Sequence, residues 1–470
     1  MNYDVAIIGG GVVGCAILNK LTRKNLKVIL IEKGNDVALG ATKANSGIIH
    51  AGFDCKPNTL KAKFNVRGNK LWKELAKQLG VPINNCGALV VGQELDVVKD
   101  LYNRGIKNGV TGLHILNREE LIKKVPSLSD NITVGLYAET SAISSPYLFA
   151  IALAEEAVLN GAKVVFNTEI SKCEKVDSGY KLSAKNFEVC AKTIINSAGA
   201  GYNEVAKILG TEQHEIEFRR GEYYLLDKLE NPITNLTIFP LPSKFSKGVL
   251  ITPTVHGQTI VGPTSYVSDS STITTSDGLN EIVQKASGII KNVPFKKNIR
   301  NFAGVRTICG DDFVVELSKA KPNIVNLAGI CSPGLTSAPA IAEYVAEELL
   351  NIKVSDKKMI KRKPYTCLND LTESKRNALI KSNPDYGKII CKCECVSLGE
   401  IKEALNSPLK PNSVDAVKRR VRAGMGRCQG GFCLTKVIST ISKTCKIPEN
   451  EVVKENLGSN FYVSNINPNK

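Results

Sequence analysis

The sequence predicts an α/β protein in two modules, and three observations carry that reading. A strand at the N-terminus runs straight into a glycine-rich turn, apolar strands alternate with helical segments as far as Leu350, and Cys391, Cys393, Cys395, Cys428 and Cys433 cluster near the C-terminus.

The first 35 residues read as strand, turn, helix and strand: Asp4 to Ile8, then Gly9-Gly10-Gly11-Val-Val-Gly14, a helix to about Lys24, and Lys27 to Ile31 ending at Glu32. Further on, Pro146 to Asn160 reads as a helix and Lys163 to Phe166 as a strand, which extends the parallel pattern. Strand-rich insertions fall around Tyr223 to Leu226 and Thr259 to Val261. Ala338 to Leu349 reads as the closing helix. A lysine-rich stretch, 353–387, then reads as a linker carrying one short helix near Leu371 to Ile380. The cysteine module is placed at 388–445, with a polar tail at 446–470.

At 470 residues and 43% hydrophobic content the chain has room for two or three domains. Its formal charge of +17 is spread over scattered lysines rather than gathered in one tract. That favours a soluble basic protein with an acidic substrate or partner, and no nucleic acid is expected. No apolar run behind a basic start marks a secretion signal, and no stretch approaches about 18 consecutive apolar residues. A cytoplasmic protein is expected, with the lysine-rich linker leaving room for peripheral contact with the inner face of a membrane. In a reducing compartment the clustered cysteines read as metal or redox ligands rather than disulfides, while Cys15, Cys86 and Cys173 read as small buried hydrophobes.

A glycine-rich turn after a strand lets backbone approach a pyrophosphate, and the following helix aims its free N–H groups and positive dipole end at the phosphates. Gly9, Gly11 and Gly14 hold the required spacing. Glu32 is placed to accept from both ribose hydroxyls and to repel a 2′-phosphate, so NADP is disfavoured. The turn alone does not separate NAD from FAD.

Three later segments do. They are Gly40 to Gly52 (GATKANSGIIHAG), Thr193 to Gly201 (TIINSAGAG) and Asn326 to Ile341 (NLAGICSPGLTSAPAI). In this order they resemble the FAD-dependent oxidoreductase family that contains D-amino-acid oxidase, glycerol-3-phosphate dehydrogenase and L-2-hydroxyglutarate dehydrogenase. The resemblance covers residues 1–352 and implies a Rossmann-like FAD-binding domain (about 1–85, 146–215 and 300–352) interleaved with a strand-rich substrate domain (about 86–145 and 216–299). It implies FAD contacts from Gly9, Gly11, Gly14, Glu32, Lys33, Thr42, Ser46, Gly47, Gly199, Gly334, Leu335 and Thr336. The end of the closing helix is implied to face the flavin, where its amides would stabilise the anion of the reduced ring.

The resemblance also implies catalytic roles. His50 lies between small residues and would run along the flavin ring, able to take a hydroxyl proton. Arg306 would grip the anionic group of the substrate. Relatives carry a proline soon after that arginine, whereas Thr307 follows here. Arg220, Glu222 and Tyr223 resemble a segment near the substrate cavity. The implied reaction is oxidation of a small anionic secondary alcohol. Residues Asn45 to Lys63 are most similar to L-2-hydroxyglutarate dehydrogenases, but the attached cysteine module is more similar to anaerobic glycerol-3-phosphate dehydrogenases, which favours glycerol 3-phosphate.

Four thiolates suit zinc or an iron–sulfur cluster, although the one-residue gap in Cys391-Lys-Cys393 is short for a zinc knuckle. The segment Gly424 to Gly430 (GMGRCQG) resembles the [2Fe-2S] domain named after bacterioferritin-associated ferredoxin. That implies Cys391, Cys393, Cys428 and Cys433 as ligands, with Cys395 spare and the basic run Lys418 to Arg422 offsetting the cluster's negative charge. A flavin and a cluster together imply an electron acceptor, a protein or quinone, and a hetero-oligomer is compatible with it.

Overall fold

The computed structural model describes residues 2–242 and 248–462; positions 463–470 of the expected tail lie outside the described residues. The opening strand Asn2–Ile8 pairs in parallel with Val28–Ile31 on one side and Phe187–Asn196 on the other. Lys163–Val165 and Ile324–Ala328 extend the parallel set at its two ends. Helix Val12–Arg23 and helix Pro146–Leu159 pack on the same face with helix Gly334–Tyr344, burying Ile17, Leu21, Phe149 and Ile341. A parallel sheet covered by crossover helices needs such continuous apolar strands, and Val28–Ile31 is buried at every position.

A second, mostly antiparallel sheet carries the insertions. Its long strands Glu217–Leu226 and Asn298–Ile308 pair over nearly their full length, and Thr259–Gly262 joins the former. The closing helix begins at Gly334, four residues ahead of the sequence expectation, and passes into a π-turn at Val345–Leu349. Pro339 inside this helix has no N–H to give to the Leu335 carbonyl, and the Trp72 indole donates to that oxygen instead at 2.9 Å. Trp72 is fully buried and stacks on Phe149 at 3.6 Å.

The C-terminal module is helical: Leu398–Leu405, Val414–Val421 and Leu434–Cys445 enclose their own core of Ile401, Val417, Val437 and Ile441. The short helix expected at 371–380 forms at Glu373–Ser382. The stretch read as a linker is pinned rather than loose. Arg362 is buried, with Nε 3.0 Å from Glu155 Oε2 and a further bond to the Leu79 carbonyl, and the Tyr365 hydroxyl also reaches Glu155. Glu155 and Glu156 are buried in the Pro146–Leu159 helix, and such carboxylates need partners.

The arginines of the basic run are engaged in ion pairs, some within the module and some across to the flavin domain. Arg419 and Arg420, both nearly inaccessible, grip Asp36 at 3.1 and 2.7 Å, and Arg419 also holds Glu455 at 2.7 Å. Arg422 pairs with Glu394 at 2.9 Å and reaches Gln258 Oε1. Burial would raise the Asp36 carboxyl, but Arg420 and Arg419 outweigh it and hold it below the usual carboxylate range. Replacing Asp36 with alanine leaves two buried guanidiniums without their shared carboxylate. The expected cost is about 3–5 kcal/mol, read by denaturant unfolding of the full chain.

Candidate active site

One cavity of about 1930 Å³ runs between the two sheets and the cluster module. Its floor is the glycine turn. Gly9 has φ +107°, and a Cβ on Gly14 would run into the Gly9 carbonyl, so that position tolerates no side chain. A Cβ on Gly11 would meet nothing closer than Thr42 Oγ1 at 3.6 Å, which leaves its backbone open to the cavity. Helix Val12–Arg23 has no acidic residue in its first turn, and Thr42 Oγ1 accepts from the Val12 N–H at 3.0 Å. Helix Gly334–Tyr344 likewise lacks an acidic first turn, and Gly334 and Leu335 line the same cavity. Two positive helix ends on one cavity suit a ligand with a pyrophosphate and a ring that becomes anionic.

Glu32 accepts from the Gly10 N–H at 2.6 Å and the Gly34 N–H at 2.8 Å. Lys33, Thr42, Ser46, Gly47 and Gly199 also line the cavity, Lys33 being largely exposed and 3.5 Å from Glu169. Gly47 and Gly199 adopt φ of +69° and +60°. Thr336 is placed differently. It is fully buried, and its hydroxyl accepts from the His50 N–H at 2.9 Å. The His50 carbonyl accepts from Asn65 and Asn69 at 2.9 and 3.0 Å, so the backbone is fixed on both sides while the ring faces the cavity. His50 Nε2 stands 3.4 Å from Ser332 Oγ.

The substrate sheet meets this segment closely. A Cβ on Gly304 would run into the Ala44 carbonyl, and the buried Tyr223 hydroxyl faces Ser46. Burial raises the Tyr223 hydroxyl's pKa despite the opposing pull of Arg306, so it stays protonated. Tyr223 stacks on Phe302 at 4.7 Å. Arg306 donates to the Thr264 carbonyl at 3.1 Å, and its buried Nε has no hydrogen-bond partner.

Strand alternation corrects the reading of Arg220 and Glu222. They point away from the cavity and pair with each other at 3.2 Å, and Glu222 accepts from the Thr275 N–H. Arg219 has the parity of Tyr223, lines the cavity and lies directly opposite Arg306 in the ladder. Glu217 holds its Nε at 2.5 Å, and Ser265 Oγ is 3.5 Å from its Nη1. Period-two counting back from Tyr223 would have found it.

The cluster module supplies part of the cavity wall through Lys418, Arg422, Met425 and Gln429. The Tyr147 hydroxyl lies 3.6 Å from the Met425 sulfur across the seam. His256 lines the same wall, and burial, reinforced by Arg422 and Lys228, pulls its pKa down to about 3 and keeps it neutral. The four expected ligands fall in two pairs. Cys393 and Cys428 sulfurs are 3.6 Å apart, and Cys433 faces Cys391. The Cys433 thiol, with the Gly424 and Glu394 amides, lowers the Cys391 thiol to about 6 against the effect of burial. Amides of Phe432 and Gly430 face Cys428 in the same way. Two thiol pairs ringed by N–H donors fit a cluster of two irons, each needing two thiolates. Cys395 turns towards the Lys392 carbonyl.

Residues 4–348 match the family of FAD dependent oxidoreductases. The chain belongs to that family. Residues 389–442 match the BFD-like [2Fe-2S] binding domain. The protein is thus an FAD-dependent oxidoreductase whose cofactors are FAD and a [2Fe-2S] cluster. It is 44% identical over 97% of both chains to a glycerol 3-phosphate dehydrogenase of Caloramator mitchellensis. An L-2-hydroxyglutarate dehydrogenase of Escherichia coli K12 is more distant, 27% identical over 75% of this chain and 94% of its own. Among solved structures, the FAD-bound L-alpha-glycerophosphate oxidase of Mycoplasma pneumoniae is 32% identical with a TM-score of 0.71, covering 77% of this chain and 97% of that one. No helix among the described residues is long and apolar enough to cross a membrane.

Two outcomes test the cofactor sites. Gly14→Ala is expected to displace the Gly9 turn and yield protein with little visible flavin absorbance. Iron analysis should find the full cluster in Cys395→Ser and little of it in Cys391→Ser.

Proposed function

We propose that the protein oxidises sn-glycerol 3-phosphate to dihydroxyacetone phosphate. The observation that carries this reading is the facing pair Arg219 and Arg306 on the cavity side of adjacent strands. Two guanidiniums at one place suit the doubly charged phosphate of a monoester, whereas L-2-hydroxyglutarate carries two single charges at opposite ends of its chain. The name of the Caloramator relative, which matches over both modules, supports the same substrate.

In this reading Arg306 and Arg219 hold the phosphate, with Glu217 and the Thr264 carbonyl fixing the two side chains. His50, immobilised through Thr336, Asn65 and Asn69, takes the C2 hydroxyl proton at Nε2. Tyr223 and Phe302 form an apolar wall that keeps water from the reacting carbon. Bound FAD would supply the acceptor for the hydride of C2, and the [2Fe-2S] cluster would supply one-electron transfer to a protein or quinone acceptor. The route out lies at the cluster's outer edge, where Cys393 is exposed, Phe432 is 84% exposed, and Lys392 and Lys436 stand in solvent. That basic rim suits an acidic partner surface.

The test is anaerobic mixing of cluster-replete protein with glycerol 3-phosphate or L-2-hydroxyglutarate, following flavin bleaching and the cluster's paramagnetic signal. Glycerol 3-phosphate is expected to produce both, in that order, and reduction by L-2-hydroxyglutarate alone would reverse the assignment. Arg306→Ala is expected to lower kcat/KM by at least about 30-fold, the factor that about 2 kcal/mol represents for a buried charged contact.

A further inference from the structure

Beyond the cluster ligands, the C-terminal module brings a second element to the flavin cavity. After Pro448 the chain turns back, Val452 enters the core of the module and Val453 bridges to Asn460. The backbone is secured on helix Val414–Val421 through bonds from the Val414 and Asp415 N–H groups to the Val453 and Lys454 carbonyls. The loop so formed presents Glu455 and Asn456 to the cavity, at the end where Glu32, Gly34 and Lys43 stand.

Its contacts there are specific. Glu455 is held between Lys43 at 2.5 Å and Arg419 at 2.7 Å. Asn456 Oδ1 accepts from the Asn35 N–H at 3.4 Å and is 3.2 Å from where a Gly34 Cβ would stand, a point 3.3 Å from Glu32 Oε1. Asn35, Asp36 and Lys43 all belong to the segment that follows the second strand of the βαβ unit, so Arg419 clasps this segment twice, directly through Asp36 and indirectly through Glu455.

We propose that Glu455 and Asn456 are cofactor-binding residues that close the adenosine end of the FAD site, so that flavin retention depends on the docked cluster module. The inference rests on reading Glu32 as the ribose ligand. Asn456, with Oδ1 engaged by Asn35, offers Nδ2 to a ribose hydroxyl or adenine ring nitrogen. Glu455 holds Lys43 against the edge of the nucleotide and keeps the loop shut over it. The Mycoplasma pneumoniae oxidase, matched over 77% of this chain, is a structure with FAD bound. The loop is therefore expected to slow the escape of FAD rather than to create the site.

The test is the rate of FAD release from the full-length holoprotein, followed by the rise of flavin fluorescence on dilution, with cluster absorbance confirming that the module is intact. The double variant Glu455→Ala, Asn456→Ala is expected to release FAD at least about tenfold faster, while Leu457→Ala, which alters an exposed neighbour, leaves the rate unchanged. Glu32→Ala is the internal reference. Faster release from Glu32→Ala combined with an unchanged rate in the double variant overturns the proposal. An unchanged rate in Glu32→Ala instead overturns the reading of the ribose site on which it rests. If the double variant loses its cluster absorbance, the single variant Asn456→Ala, which keeps both Glu455 ion pairs, is expected to show the same direction of change, and an unchanged rate there refutes the assignment.

Discussion

Asp36 is a carboxylate with 1% of its side chain exposed, held by two guanidiniums from a module nearly four hundred positions away. Removing such a group from water costs several kcal/mol, and only close, multiply bonded partners offset it. Once Arg419 and Arg420 are committed to it, the cluster module has one orientation on the flavin domain. The wall containing Met425 and Gln429 then lies on the cavity beside Tyr147, and the rest of the seam follows: Arg422 reaches Gln258, Arg427 reaches Asp227 and Arg300 reaches Gln429. Most of these are weak surface contacts singly, and they register the module rather than hold it.

A second constraint, made of backbone rather than charge, sets the proposed reacting centre. Gly304 lets the substrate sheet approach the Ala44 carbonyl without a side chain between them, and the Tyr223 hydroxyl faces Ser46. Thr336, at the start of the closing helix, fixes the His50 backbone. A histidine, an arginine pair and a helix end from four distant segments are thus brought to one cavity by short contacts involving small residues. In the proposed reaction, pre-organisation of this kind would spare the cost of ordering these groups.

What could be read from sequence was what local geometry dictates. The βαβ unit was legible because Gly9 and Gly14 meet a steric demand within six residues, and the cysteine module because its cysteines and neighbouring glycines are clustered. Arg219 was missed in favour of Arg220, although strand parity with Tyr223 distinguishes them. The partners of the basic run Lys418 to Arg422 were illegible for a different reason. Its charge invites a nearby anion such as the cluster, and nothing local reveals that Asp36, Glu455 and Glu394 pair with its arginines. The same holds for 353–387, whose lysines read as a solvated linker while Arg362 and Tyr365 are fixed by Glu155, one of two adjacent glutamates in a largely apolar helix. Long-range ion pairs leave no periodic trace in a chain.

That pinned connection bears on how the two modules work together. A flexible tether would leave the second module searching at the effective concentration its length allows, with an orientational penalty at each encounter. Here Lys24 to Asp356, Asn160 to Ile360 and Glu155 to Arg362 fasten the connection along the flavin domain before the module begins. The search is made once, during folding. A hydride acceptor and a one-electron carrier differ in how many electrons they handle at a time, so their exchange must repeat for every turnover. A module locked by buried charge meets that demand without re-docking, and Cys393 and Phe432 of that module stay exposed to solvent.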